Sequence, residues 1–126
     1  METMPTPTGK IVWFDFAIKN EAKSLPFFKS VLAWDFEPMG PDYWTIKCNG
    51  QTIGGLRKEK GTFIPANGGF VPYFNVPSLS EGKAMVNSNG GTLIGDTVAI
   101  SEGKEGYFQN FSDLDGNTLA LWSIKK

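Results

Sequence analysis

GQTIGGL at residues 50–56 and GNTLALW at residues 116–122 carry glycine, an amide, threonine and aliphatic residues in one order. Each closes one half of the chain. Working outward, an apolar stretch opens each half, KIVWFDFAI at residues 10–18 and FVPYFNV at residues 70–76, and a helix-like stretch follows each. Duplication of a βαβββ unit accounts for this order. The expected fold is α+β: two βαβββ units whose curved mixed sheets surround a cleft, with helices on the outer faces. Residues 1–9 read as a flexible tail and residues 10–126 as one domain, with unit one at about 10–57, a linker at about 58–69 and unit two at about 70–124.

A chain of 126 residues with 40% apolar content suits one buried core. Twelve basic residues against 13 acidic ones, a net charge of −1, give no electrostatic footprint for nucleic acid or an anionic membrane. No apolar run approaches the roughly 20 residues needed to span a bilayer. The start METMPTPTGK lacks the hydrophobic stretch of a secretory signal, so the expectation is a soluble cytoplasmic protein. Cys48 is the only cysteine, which excludes an intrachain disulfide and a zinc site built from several cysteines; its strand context predicts a small core residue. Histidine is absent, which removes the commonest metal ligand and the usual proton carrier near neutral pH.

In the opening stretch Val12, Phe14, Phe16 and Ile18 share one sheet face, expected to meet the helix, while Trp13, Asp15 and Ala17 take the other. Asn20 suits a helix N-cap, and Leu25, Phe28 and Leu32 recur at helical spacing. Pro26 predicts a kink there, or a helix that begins close to it. Strands follow at 34–37, 43–48 and 51–56, joined by turns at 40–42 and 49–50, and a lysine- and glycine-rich connection occupies 57–69. In the second unit, Ser78 and Glu81 have capping-box spacing, and Gly90-Gly91 suits a helix end. Strands are expected at 92–94, 107–111 and 118–123, with an exposed loop at 103–106.

LPFFKSVLAWDFEP at residues 25–38 and SDLDGNTLALW at residues 112–122 resemble two motifs of the vicinal oxygen chelate superfamily. That superfamily contains glyoxalase I, extradiol dioxygenases, fosfomycin-resistance enzymes and bleomycin-binding resistance proteins. The first stretch is similar to its aromatic-pair helix running into a Gly-Trp strand, with Ala33 in place of the glycine. The second is similar to its Asp-Pro-x-Gly-Asn closing strand, with Leu114 in place of the proline. The resemblance spans residues 10–124. It implies metal ligands on the opening and closing strand of each unit, at Trp13, Val71, Gly54 and Ala120. None of these side chains offers a usable lone pair to a divalent cation, so neither metal nor other cofactor is expected.

The face carrying those positions is expected to present Trp13, Asp15, Thr52, Gly54, Val71, Tyr73, Asn75, Thr118, Ala120 and Trp122. Flat rings offer contact area to a planar or apolar ligand, Gly54 and Ala120 leave room, and Asp15, Tyr73 and Asn75 orient polar groups. The same rings equally suit a closed cavity or a subunit contact. Asp15, with Tyr73, is the weak candidate for proton transfer, beside the plainer reading of a surface aspartate. The run Arg57-Lys58-Glu59-Lys60 reaches towards an anionic ligand or is a solvated loop. The glycine pairs lack the lysine and helix order of a phosphate cradle, and no serine or cysteine has a base partner.

The resemblance therefore implies a metal-independent small-molecule binding protein that forms a homodimer. Two alternatives stand beside it: a glyoxalase-like lyase or isomerase acting on a small carbonyl or oxygenated substrate, and an interaction subunit that binds protein through its aromatic face.

Overall fold

The computed structural model describes Thr8, residues 11–60 and residues 71–126. Two four-stranded sheets lie side by side in the chain order of the duplication. Unit one runs β1 (Asp15–Ile18), α1 (Glu21–Leu32), β2 (Asp35–Pro38), β3 (Tyr43–Cys48) and β4 (Gln51–Lys58); unit two runs β5 (Tyr73–Asn75), α2 (Leu79–Ser88), β6 (Thr92–Ala99), β7 (Tyr107–Ser112) and β8 (Thr118–Ser123). The strand orders are β1-β4-β3-β2 and β5-β8-β7-β6, with only the opening and closing strands of each unit parallel. The fold is the expected α+β arrangement of two βαβββ units. The tail at residues 1–9, apart from Thr8, and most of the linker lie outside the described residues.

Both helices lie on one side of their sheets, and those two sides share a single core. Phe28 of α1 meets Phe16 edge-on at 5.5 Å and stacks on Trp34 at 5.1 Å. Trp34 in turn meets Phe74 of the second sheet at 5.1 Å, and Phe14 reaches Phe74 at 5.5 Å. Phe27, Phe28 and Trp34 are buried as core residues. Such ring pairs contribute about 0.5–1.5 kcal/mol each beyond area burial, and here they join the two units.

Several local expectations change. Helix α1 starts directly after Asn20, whose side chain accepts from Ala22 N–H, and it carries Pro26 inside it. Val12 is 70% exposed because the ladder begins only at Asp15, so the continuous apolar face from Val12 to Ile18 is shortened. Cys48 is exposed, since β3 ends there at the Asn49-Gly50 turn. Strand β4 continues through Arg57 and Lys58, and β6 runs on to Ala99 across an irregularity between Ile94 and Val98. Gly106, expected in an exposed loop, is buried beneath the Trp122 ring.

The turn between β7 and β8 fastens the units together. Asp113 Oδ1 accepts from the backbone N–H groups of Asp115 and Asn117, and its Oδ2 accepts from Asn117 Nδ2. The same Asn117 amide donates to the Ala17 carbonyl at 2.8 Å, while Asp115 accepts from Lys19 N–H and the Ser24 hydroxyl. Burial pushes the Asp113 carboxyl up to about 6 from its ordinary 3.8, against the downward pull of its hydrogen bonds from Asn117 and Asp115.

Two stability measurements follow from these features. Ala33 caps α1 in the left-handed region with φ 57°, so Ala33→Gly should raise stability by about 1 kcal/mol in denaturant titration. Asp113 carries a pKa above its unfolded value, so its contribution is fully present below about pH 4 and lost as pH rises through about 6. Asp113→Asn should remove that part of the pH dependence, on the order of 3 kcal/mol between the two limits; equal slopes for the two proteins would contradict it.

Candidate functional site

With most of the helix sides buried in the shared core, the opposite face of each sheet and the seam between the sheets are left for function. On sheet one, Asp15 lies opposite Gly55, which lies opposite Thr45, and Arg57 lies opposite Tyr43. On sheet two, Tyr73 lies opposite Ala120, which lies opposite Asn110, and Trp122 stands between Asn75 and Phe108. The two rows are equivalent by ladder position: Asp15 with Tyr73, Gly55 with Ala120, Thr45 with Asn110.

This equivalence moves the sequence repeat by one residue. Ile46 pairs with Gly54, yet the next residue, Lys47, pairs with Thr52, so Ile53 is an extra residue in β4. A bulge of this kind exchanges the faces on either side of it. Gly54, expected on the cleft face, is therefore turned to the core, where a Cβ would overlap the Phe14 carbonyl. Gly55 takes the cleft place, and a Cβ there would overlap the Tyr43 hydroxyl. The substitution of Gly55 for Gly54 leaves the chemistry of a cation site unchanged, because neither has a donor side chain. Among the described residues no three His, Cys, Asp or Glu side chains are grouped to hold a metal ion. Among the described residues, the donor set does not fit the divalent metal that the sequence resemblance implies.

The remaining expected residues divide by sheet. Trp13, 43% exposed, donates its indole N–H to the Tyr43 hydroxyl at 3.2 Å. Asp15 is held by an ion pair with Arg57, whose Nε also reaches Glu59 at 3.1 Å. Tyr73, 53% exposed, meets Phe108 edge-on at 5.3 Å. Trp122 donates to the Glu105 carbonyl at 3.2 Å, which fixes its ring over Gly106. Ala120 is fully buried between its cross-strand neighbours Tyr73 and Asn110, so it leaves less room than expected. Asn75 is exposed beside Trp122, Thr118 lies opposite Ser112 towards the far end of β8, and Thr52 sits exposed near the β3–β4 turn, away from the rings.

Where the sheets adjoin, Ile11, Phe14, Val71, Pro72, Tyr73 and Phe74 line an apolar crevice of about 390 Å³. Ligand pockets are commonly about 300–1,000 Å³. Tyr43, Gly55 and Arg57 share the sheet face of Asp15, and Phe108 and Asn110 that of Tyr73; sequence reasoning missed Tyr43, Gly55, Phe108 and Asn110, and placed Arg57 in a loop rather than on a strand. The i, i+2 alternation of YWTIK at residues 43–47 could have placed Tyr43, but nothing local announced that Arg57 still belonged to a strand.

The arrangement of strands and helices recurs in solved structures. A genomically encoded fosfomycin resistance protein from Listeria monocytogenes superposes with a TM-score of 0.71 at 15% identity, over 95% of this chain and 94% of that one. The chain has the vicinal oxygen chelate fold. A glyoxalase/bleomycin resistance protein from Albidiferax ferrireducens gives a TM-score of 0.69 at 16% identity over 88% of this chain and 95% of that one. A glyoxalase-related enzyme from Fulvimarina pelagi gives 0.69 at 15% identity over 91% and 88%. Neither a family model nor a curated protein matches the sequence. At these identities the likeness shows the fold alone.

The two adjacent glycines separate cleanly by experiment. Gly54→Ala must part β4 from the Phe14 backbone and should cost about 1–3 kcal/mol, read as a lowered melting temperature. Gly55→Ala meets the hydroxyl and ring edge of the Tyr43 side chain rather than backbone and should cost less than Gly54→Ala while displacing Tyr43, seen as a moved Trp13 indole N–H resonance. The reverse ranking would show that the bulge is misplaced.

Proposed function

We propose that this protein is a metal-independent small-molecule binding protein of the vicinal oxygen chelate fold, acting as a cytoplasmic homodimer. The observation that carries the reading is an apolar crevice of about 390 Å³ where the two units meet, walled by Phe14, Phe74 and the exposed ring of Tyr73. Aromatic walls supply contact area, and the Tyr73 hydroxyl supplies a polar group to orient a ligand.

Positions that would carry metal ligands hold Trp13, Val71, Gly55 and Ala120, so cation binding has no donor set to rest on. The enzyme reading has little to favour it. Asp15 is committed to Arg57, and among the described residues no second proton-transfer group is hydrogen-bonded to it. Dimer formation is supported by Ile94 and Val98, 41% and 43% exposed on the Tyr73 face of sheet two, because a second copy would remove this apolar surface from water. No helix among the described residues is long and apolar enough to cross a membrane.

A panel of aromatic antibiotics and aromatic metabolites, followed by tryptophan fluorescence and thermal shift, tests the reading. A ligand at a hundredfold excess over its Kd should stabilise the fold by about 2.7 kcal/mol. Tyr73→Ala should weaken every hit by at least about tenfold, equivalent to about 1.4 kcal/mol. A stoichiometric ion in purified protein that restores lyase activity would replace the binding reading with the enzyme one.

A further inference from the structure

On the helix side of sheet one, Leu25, Pro26 and Lys29 of α1 join Phe36 and Pro38 of β2 and Trp44 of β3 around a hollow of about 220 Å³. It shares no lining residue with the seam crevice. Strand β2 is the outer strand of its sheet, so the hollow lies towards the open edge of unit one. Pro38 and Trp44 are cross-strand partners, and Phe36 lies two residues along on the same face. Pro26 brings an apolar ring to this wall from inside α1, where it gives up a helix hydrogen bond.

The lining carries two donors, the Lys29 ammonium and the Trp44 indole N–H, and neither has an acceptor among the described residues. The polar end of a ligand here must therefore accept. No carboxylate lines the hollow. Asp35 and Glu37 alternate with Phe36 and Pro38 along β2 and so take the opposite face, where Glu37 is paired with Lys47 at 3.0 Å. Ala33, the C-cap of α1, lies a full turn beyond Lys29, which keeps the negative end of the helix dipole away from Leu25 and Pro26. One uncompensated positive charge over apolar walls suits one negative charge on an apolar body. Size narrows the body further, because an apolar cavity of about 150 Å³ holds benzene, and this hollow has space for one ring and a short arm.

We propose that the hollow between α1 and the outer edge of sheet one is a second ligand site, which binds a small aryl carboxylate. The ring packs against Leu25, Phe36 and Trp44, and the carboxylate is held by Lys29. The site lies outside the seam and stands whether or not the seam binds a ligand.

The test compares 3-phenylpropanoate with 3-phenylpropanamide, which share ring and arm and differ in charge, in two-dimensional NMR titrations of the full chain. The acid should move the Trp44 indole N–H and the backbone amides of Leu25, Lys29 and Phe36. At low salt it should bind about fivefold tighter than the amide, the scale of an ion pair at a protein surface, and added salt should narrow the gap. Lys29 is exposed, so Lys29→Met keeps the fold and the apolar stem and should abolish the gap while leaving the amide unchanged. Equal binding of the two compounds by the unaltered chain, or an undiminished gap in Lys29→Met, overturns the role of Lys29 and with it the ligand class. Shifts confined to Phe14, Tyr73 and Phe74 would assign the acid to the seam and overturn this site while supporting the seam reading. If the acid moves no amide at all, this site fails, and the aromatic panel decides the seam separately.

Discussion

Everything about this molecule depends on one shared core beneath two sheets. Phe14 and Trp34 from unit one reach Phe74 of unit two, so the helix-side faces cannot be uncovered without separating the halves. Burial of those faces dictates where function is possible, because a sheet that commits one face to a core has only the other for a ligand. The result is two equivalent rows of cleft-facing positions, filled differently: charged and hydroxylated in the first unit, largely aromatic in the second.

Polar contacts at the rim of the core complement the ring contacts. Asn117 is wholly buried and divides its amide between Asp113 in its own turn and Ala17 on the opening strand of the other unit. A buried amide of this kind costs stability when left unpaired, by about 1–3 kcal/mol, so it specifies the arrangement as well as contributing to it. The Leu114 that replaces a proline in the motif leaves this turn intact, since the hydrogen bonds run through Asp113, Asp115 and Asn117. Ala33, which replaces a glycine, keeps the left-handed cap geometry at a conformational cost.

Neither Gly55 nor Ala120 offers a donor, and Tyr43 lies over one while Tyr73 and Asn110 flank the other. Directed donors and apolar walls distinguish ligands by shape and charge.

Much of the architecture was legible in the chain itself. The duplicated ends, the apolar alternation of Phe14, Phe16 and Ile18, the Asn20 and Ser78 caps and the absence of histidine settled the two βαβββ units and the poverty of metal donors, because each is a local property of residue type and period. The pocket was only half legible. Val71 and Tyr73, which line the crevice, could be placed by parity, but Gly54 could not, since the extra residue Ile53 leaves no mark in composition and changes which face every later residue of β4 takes. Only the tertiary structure brought Arg57 back to Asp15, set Tyr43 over Gly55 and opened a crevice between two strands 58 positions apart in their pairing equivalence, from Asp15 to Tyr73. Those relations are distances between segments remote in the chain, and the packing of the common core decides them.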